Sequence, residues 1–289
     1  MRYELKGERL AIAVDTHGAE LISVAYNGKE RLWQNEDGSW SGHAPILFPV
    51  CGHCGMTVGG KDYPLPAHGL AKRREFALIE RGENFLCFSL LSSEETMRVY
   101  PFPFRFSVRY ELEGNALKIA YEVHNPHDAP LPFSCGGHES YALTGDIADY
   151  ALEFDAPVHL THYEHDEHGY LTGETIDFGT RQVLPLPADI LQSSKTLILG
   201  NVTARAVRLC TKAGIVAEIT FPDFAHLLLW RPGNAQMICI EPWCNLPDRV
   251  GERREFSQKE GVLRVEPHGT KILTRTIAYG EGSSLGSKT

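Results

Sequence analysis

The stretch from Arg105 to Pro126 reads RFSVRYELEGNALKIAYEVHNP. Phe106, Val108, Tyr110 and Leu112 alternate with polar residues, and Leu117, Ile119, Tyr121 and Val123 resume the alternation after Gly114-Asn115. A period of two sends successive side chains to opposite faces of a strand, so each run offers one apolar face. Gly-Asn between the runs accepts the positive φ of a tight turn. The stretch is therefore expected to form a β-hairpin.

Similar runs lie on both sides: RLAIAVDTHGAELISVAYNGKERLW, FALIERGENFLCFSLLSS, RAVRLCTKAGIVAEITFP, HLLLWRP, MICIEPW and KILTRTIAYG. Gly, Pro and Asn bound them, which is strand and turn vocabulary. Helical signals are confined to EETMRVY and LPADILQSS. Many strands with few helices imply an all-β chain built as an antiparallel sandwich. At 289 residues the chain is long for one domain, but all-β domains often exceed ~200 residues. With no repeat and no long linker, residues 1–280 are expected to form a single domain and EGSSLGSKT, 281–289, a disordered tail.

Composition removes several function classes. Hydrophobic residues make up 43% and charged residues 22%, and no apolar stretch approaches the ~20 residues of a membrane helix. The start, MRYELKGERLAIAV, scatters charges where a secretory signal has an uninterrupted apolar centre. A cytoplasmic protein with no membrane partner is the expectation. A net charge of −9 without a clustered Lys/Arg face gives nucleic acid no footing. Seven cysteines, an odd count and mostly inside apolar runs, suit reduced thiols in a reducing compartment.

Cys51 to Cys54 spells CGHC, the spacing of a redox dithiol and of half a zinc site. Context argues against both. GMTVGG follows where a redox motif needs a helix, and the other five cysteines supply no second ligand pair. A strand-end turn with incidental thiols is expected. THYEHDEHGY, Thr161 to Tyr170, gathers His162, His165 and His168 with Glu164, Asp166 and Glu167. Those types could bind a divalent ion, but without an apolar period to fix a helix face the segment reads as a solvated loop. Overhanging a pocket, it would help choose a ligand. Lys72, Arg73 and Arg74 would either grip a phosphate or solvate a turn. No G-x-S-x-G elbow and no Gly-rich loop before a helix supports acyl transfer or nucleotide binding.

Three stretches remain: LPAHGLAKRREF with His68, FSCGGHESYAL with His138, and CIEPWCNLPD with Glu241. Met237 to Ile240 suit a buried strand, and the carboxylate that follows is costly to bury unless it is neutralised or given partners. Each histidine by itself reads as an ordinary core or turn residue. Gly136-Gly137 before His138, however, points to a close backbone approach or a strained turn. Two histidines and a carboxylate at a strand end, with Trp230 and Trp243 as flat walls, would make a small polar pocket. Such a pocket suits a sugar, whose C–H patches meet aromatic faces while its hydroxyls meet His and Glu.

At these residues the chain resembles the aldose 1-epimerase (galactose mutarotase) family, and within it the LacX-like branch. The matching stretches are RLWQNEDGSWSGHAPILFPVCG, YPLPAHGLAKRREF, FSCGGHESYAL and ICIEPWCNLPD, in that order over most of the chain. APILFP, HG and EPW are specific together where each alone is weak. The resemblance implies a large antiparallel β-supersandwich, galactose mutarotase-like, with a sugar pocket on its concave face and no required metal, cofactor or nucleotide. It implies Glu241 as general base, His138 as general acid, and His68 as the histidine near the sugar's ring oxygen. His53, Lys72, Trp230 and Trp243 fall in the implied binding shell. Mutarotation opens a cyclic hemiacetal, so one group takes the anomeric hydroxyl's proton while another protonates the ring oxygen. On this reading partial burial raises Glu241 toward the working pH, and His138 titrates near neutrality.

The chain departs from its relatives in the binding shell. His53 stands where Arg commonly follows FPxxG, and Lys72 replaces an Arg, exchanging a bidentate clamp for a point charge. Glu139 stands where Pro is frequent, and Lys195 aligns with an acidic position. A changed sugar rather than a changed reaction is implied. The expected function is an aldose 1-epimerase-type isomerase acting on a hexose or related sugar. The alternatives are a hexose-phosphate 1-epimerase, suggested by Lys72, Arg73 and Arg74, and a non-catalytic sugar-binding or sensing protein. The expected partner is a small-molecule sugar, free or phosphorylated, and the expected assembly a monomer or homodimer.

Overall fold

The computed structural model describes residues 1–186 and 196–282. Arg105–Glu113 and Ala116–His124 pair antiparallel, with Tyr110 opposite Ile119 and Val108 opposite Tyr121, across Gly114 at φ 64°. The eight alternating apolar residues of this hairpin are all buried, as one face of a sheet packed on a core requires. Among the described residues the hairpin belongs to an antiparallel sheet of 13 strands. From the far edge the order runs Ala77–Arg81, Phe85–Leu91, Arg105–Glu113, Ala116–His124, Thr270–Tyr279, Gly214–Thr220 and Ala206–Thr211. It continues through Tyr150–His165, Leu197–Leu199, His226–Trp230 and Met237–Trp243 to Glu139–Ala142, with Leu171–Pro185 paired on Tyr150–His165.

A second antiparallel sheet holds Arg2–Lys6, Leu10–Asp15, Glu20–Tyr26 and Lys29–Glu30. One apolar core joins the two sheets: Phe48 stacks on Phe106 at 4.2 Å, and the buried Tyr110 hydroxyl donates to the Ala19 carbonyl at 2.8 Å. The all-β antiparallel architecture expected from the alternation is the one that forms. EETMRVY gives the short helix Glu94–Met97, closed by a reciprocal Ser93–Thr96 cap. The remaining helical candidate beyond Leu186, Lys195, and residues 283–289 of the expected tail lie outside the described residues. Glu281, within them, accepts from Arg9 at 3.0 Å. No helix among the described residues is long and apolar enough to cross a membrane.

One expectation needs correction. THYEHDEHGY is not a solvated loop: its first half completes strand Tyr150–His165, and Leu171 begins the partner strand Leu171–Pro185. Val158, Leu160 and His162 continue an inward period of two, so His162 occupies an apolar position. Its ring is satisfied there because Nδ1 accepts from the Ile198 amide at 3.1 Å and the ring stacks on Phe178. The polar residues had masked a period that begins upstream in the more apolar part of the strand.

Candidate active site

Strand Met237–Trp243 lies between Glu139–Ala142 and His226–Trp230, and all seven of its residues are buried. Glu139 pairs with Ile240, so the residue before it, His138, comes level with Glu241. The His138 Nε2 atom stands 3.4 Å from Glu241 Oε2, and the Trp243 indole N–H donates to the same oxygen at 3.2 Å. Glu241 Oε1 has no hydrogen-bond partner among the described residues. Gly136 and Gly137 make this approach sterically feasible. A Cβ on Gly136 would fall 2.8 Å from Trp243 Cδ1, and one on Gly137 would run into the Arg275 guanidinium.

Burial sets the charges. Loss of water raises the Glu241 carboxyl well above its usual range, against the Trp243 hydrogen bond that lowers it. The same loss of water, with the nearby Lys72 charge, lowers His138 to about 3. The expected near-neutral titration of His138 is thus corrected: an imidazole in a water-poor wall resists charging. Burial thus disfavours the charged form of both groups, and a proton shared by the pair is drawn to the carboxyl rather than to the imidazole.

His68 is positioned by the turn that carries CGHC. Its amide donates to the Gly52 carbonyl at 2.9 Å, and its Nδ1 accepts from the Gly52 amide at 3.2 Å. An accepting Nδ1 on a neutral ring leaves the proton on Nε2, so His68 is a fixed donor. Burial, followed by the His138 and Lys72 charges, lowers His68 well below its usual range. His68 takes a left-handed backbone at φ 64°, followed by Gly69 at φ 73°. A side chain on Gly69 would collide with the Phe48 carbonyl, which explains the HG pair. The CGHC thiols themselves are buried and unpaired, and burial pushes Cys54 up to about 12. Its function here is carried by backbone, not sulfur.

Glu241, His138, His68, Lys72, Trp230 and Trp243 converge on one cavity of about 470 Å³. His17, Glu20, Ser41, Gly42 and Pro45 line it from the N-terminal side. Trp40 closes it, lying parallel on His138 at 5.1 Å and edge-on to Trp230 at 5.3 Å. His53 is not among the lining residues; its ring lies against Tyr170, 5.0 Å away, where the Asp166–Tyr170 turn packs. Of the basic run only Lys72 lines the cavity. Arg73 donates to the Gly69 carbonyl at 3.3 Å, and Arg74 pairs with Glu95 at 2.5 Å.

A family model described as aldose 1-epimerase matches residues 1–259. The chain belongs to the aldose 1-epimerase family. It is 30% identical to Protein LacX (chromosomal) of Lactococcus lactis, over 93% of this chain and 96% of that one. Among solved structures, a galactose mutarotase related enzyme from Lactobacillus acidophilus is 26% identical with TM-score 0.89, covering 98% of this chain and 99% of that one. A galactose mutarotase-like protein from Lactobacillus casei is 25% identical, also with TM-score 0.89, covering 97% and 100%. The β-supersandwich and the LacX-like branch are therefore the right fold and kin. Interconversion of sugar anomers, an epimerase-type reaction, is the function that membership of the aldose 1-epimerase family carries.

Several residues that line this cavity escaped sequence reasoning, Trp40 and Glu20 among them. Trp40 sits in GSWSG, and a large aromatic among turn residues was the signal that could have found it. Glu20 begins strand Glu20–Tyr26 and looks like any polar strand residue. As for metals, His138, Cys239 and Glu241 bring donor atoms within 4.8 Å of one another, a set able to hold a soft divalent ion. Two of those donors are the proton-sharing pair.

Proposed function

We propose that the protein catalyses exchange between the α and β anomers of a hexose or related sugar, with Glu241 as base and His138 as acid. The observation that carries this reading is the His138–Glu241 pair, 3.4 Å apart and buried at the wall of a sugar-sized cavity. With the proton on His138, Glu241 takes the proton of the anomeric hydroxyl as His138 protonates the ring oxygen. The bond between C1 and the ring oxygen breaks, C1 becomes an aldehyde, and rotation about C1–C2 exposes its other face. Reclosure returns both protons by the reverse route.

Burial assists this step. It favours the uncharged arrangement of the pair, a protonated carboxyl beside a neutral imidazole. Ring opening starts from the charged arrangement and ends in the uncharged one, so it runs with the preference of the site. His68, with its donor nitrogen fixed, would hold an oxygen of the sugar, while Trp243 and Trp230 supply apolar faces. Seven unpaired thiols support a cytoplasmic location.

NMR exchange between anomers across a panel of hexoses tests the proposal. The wild type should exchange at least one sugar well above the buffer rate, and Glu241→Gln should lose about 10²–10⁴-fold. A Glu241→Gln variant that keeps the wild-type rate, or a wild type no faster than buffer on every sugar it binds, would sink it.

A further inference from the structure

Besides the proton-sharing pair, the cavity lining carries two opposite charges that do not pair with each other. Glu20 and Lys72 both line the cavity, yet no contact within 4.0 Å joins them and no hydrogen bond or ion pair engages the Lys72 ammonium among the described residues. Lys72 is half-buried, and loss of water lowers its pKa, as does the neighbouring Arg73. An ammonium in that state gains from any oxygen brought to it.

Glu20 is held by one oxygen only. Its Oε1 accepts from the amides of His43 at 2.7 Å and Ala44 at 3.0 Å, in the loop that also delivers Trp40, Ser41 and Gly42 to the cavity. Oε2 has no protein partner among the described residues. The two charged residues are locked near one another through their backbones. The Gly18 amide donates to the Arg74 carbonyl at 2.7 Å and the Phe76 amide to the Thr16 carbonyl at 2.8 Å. At φ 71°, Gly18 lies so close that a Cβ there would sit 3.2 Å from the Lys72 Cα.

We infer that Glu20 and Lys72 are the specificity-determining residues of the site, selecting an unphosphorylated sugar. The carboxylate accepts from one hydroxyl and the ammonium donates to an oxygen nearby, a demand that adjacent sugar hydroxyls meet and a lone anion does not. A phosphate there would face the Glu20 carboxylate, with Lys72 the one Lys or Arg lining the cavity among the described residues, since Arg73 and Arg74 are turned to other partners. This inference rests on the anomer-exchange reading of the same cavity.

The test compares free glucose and galactose with their 6-phosphates on wild type, Glu20→Gln and Lys72→Met. Glutamine preserves the acceptor for His43 and Ala44, so the loop is kept and only charge is lost. Wild type should prefer the free sugars. Glu20→Gln should raise their KM roughly 10-fold with kcat little changed, and narrow the preference over the 6-phosphates by a similar factor. Lys72→Met should raise KM for free sugars without any gain on phosphates. An unchanged preference in Glu20→Gln, or a wild type that favours the 6-phosphate, overturns the inference. Calorimetric binding of the same four sugars separates the two readings. If turnover is absent but affinities follow this order, selection stands and the catalytic reading falls; if affinities ignore Glu20, selection falls by itself.

Discussion

Two carboxylates are buried on the same pair of strands, and they live in opposite conditions. Glu139 turns into the core, where the fully buried Arg275 guanidinium engages both of its oxygens and also donates to the Tyr121 hydroxyl. Glu241 turns to the cavity, where one oxygen meets Trp243 and His138 and the other is left for a ligand. His138 Nδ1 is likewise buried without a partner. The first carboxylate is satisfied by the protein; the second is satisfied only when something enters. Unfinished hydrogen bonding at a buried site costs stability, and a fold keeps it where chemistry uses it.

The largest expected effect breaks the satisfied side. Arg275→Met leaves Glu139 buried and alone and should cost about 3–5 kcal/mol of folding stability in chemical denaturation. Adding Glu139→Leu should recover much of that loss. A single variant within about 1 kcal/mol of wild type would remove the contrast. On the unsatisfied side, Glu241→Gln should lose about 10²–10⁴ in rate while stability holds or rises. The sign follows from its raised pKa: the unfolded carboxyl releases its proton above 4.5 while the folded one retains it, so the contribution of Glu241 itself to stability falls as pH rises past 4.5. The gain from Glu241→Gln should accordingly be larger at pH 7 than at pH 5.

A pH series sharpens the comparison further. Burial lowers His138 to about 3, His226 to about 4 and His68 well below 6.5, so the unfolded chain takes up protons that the folded one refuses. The contribution of these three histidines to stability should decline as pH falls below 6.5 and go on declining toward those folded values, against the opposite slope of Glu241, so the decline is read most cleanly in Glu241→Gln. The acid limb of kcat/KM should lie well below 6.5 over the same range. A limb at 6.5 would mean that His138 titrates as if exposed. The smallest effect concerns the indole: Trp243→Phe keeps the ring but loses one hydrogen bond to Glu241, about 1 kcal/mol or roughly fivefold in rate. Because that bond lowers the Glu241 pKa, the basic limb should move up.

The strands were legible because alternation is local: Phe106 to Val123 could be assigned from that window of eighteen residues. His162 was misread because its apolar period starts outside the polar run that drew attention. His68, His138 and Glu241 came from the family resemblance, and residue type and spacing alone left each histidine ordinary. His53 followed from the same resemblance and lies off the cavity, because the Asp166–Tyr170 turn, distant in sequence, packs against it.

Length, alternation and turn residues by themselves determined an antiparallel all-β chain, and its motifs determined the family to which it belongs. Tertiary structure alone decided the chemistry of the cavity. The state of a titratable group depends on who shares its burial, and those neighbours come from afar. Lys72 lowers His138 across 66 positions of chain, Gly52 fixes the His68 tautomer, and Glu20 reaches the loop at His43. Such charges act through space, and sequence order carries no record of the distances between them.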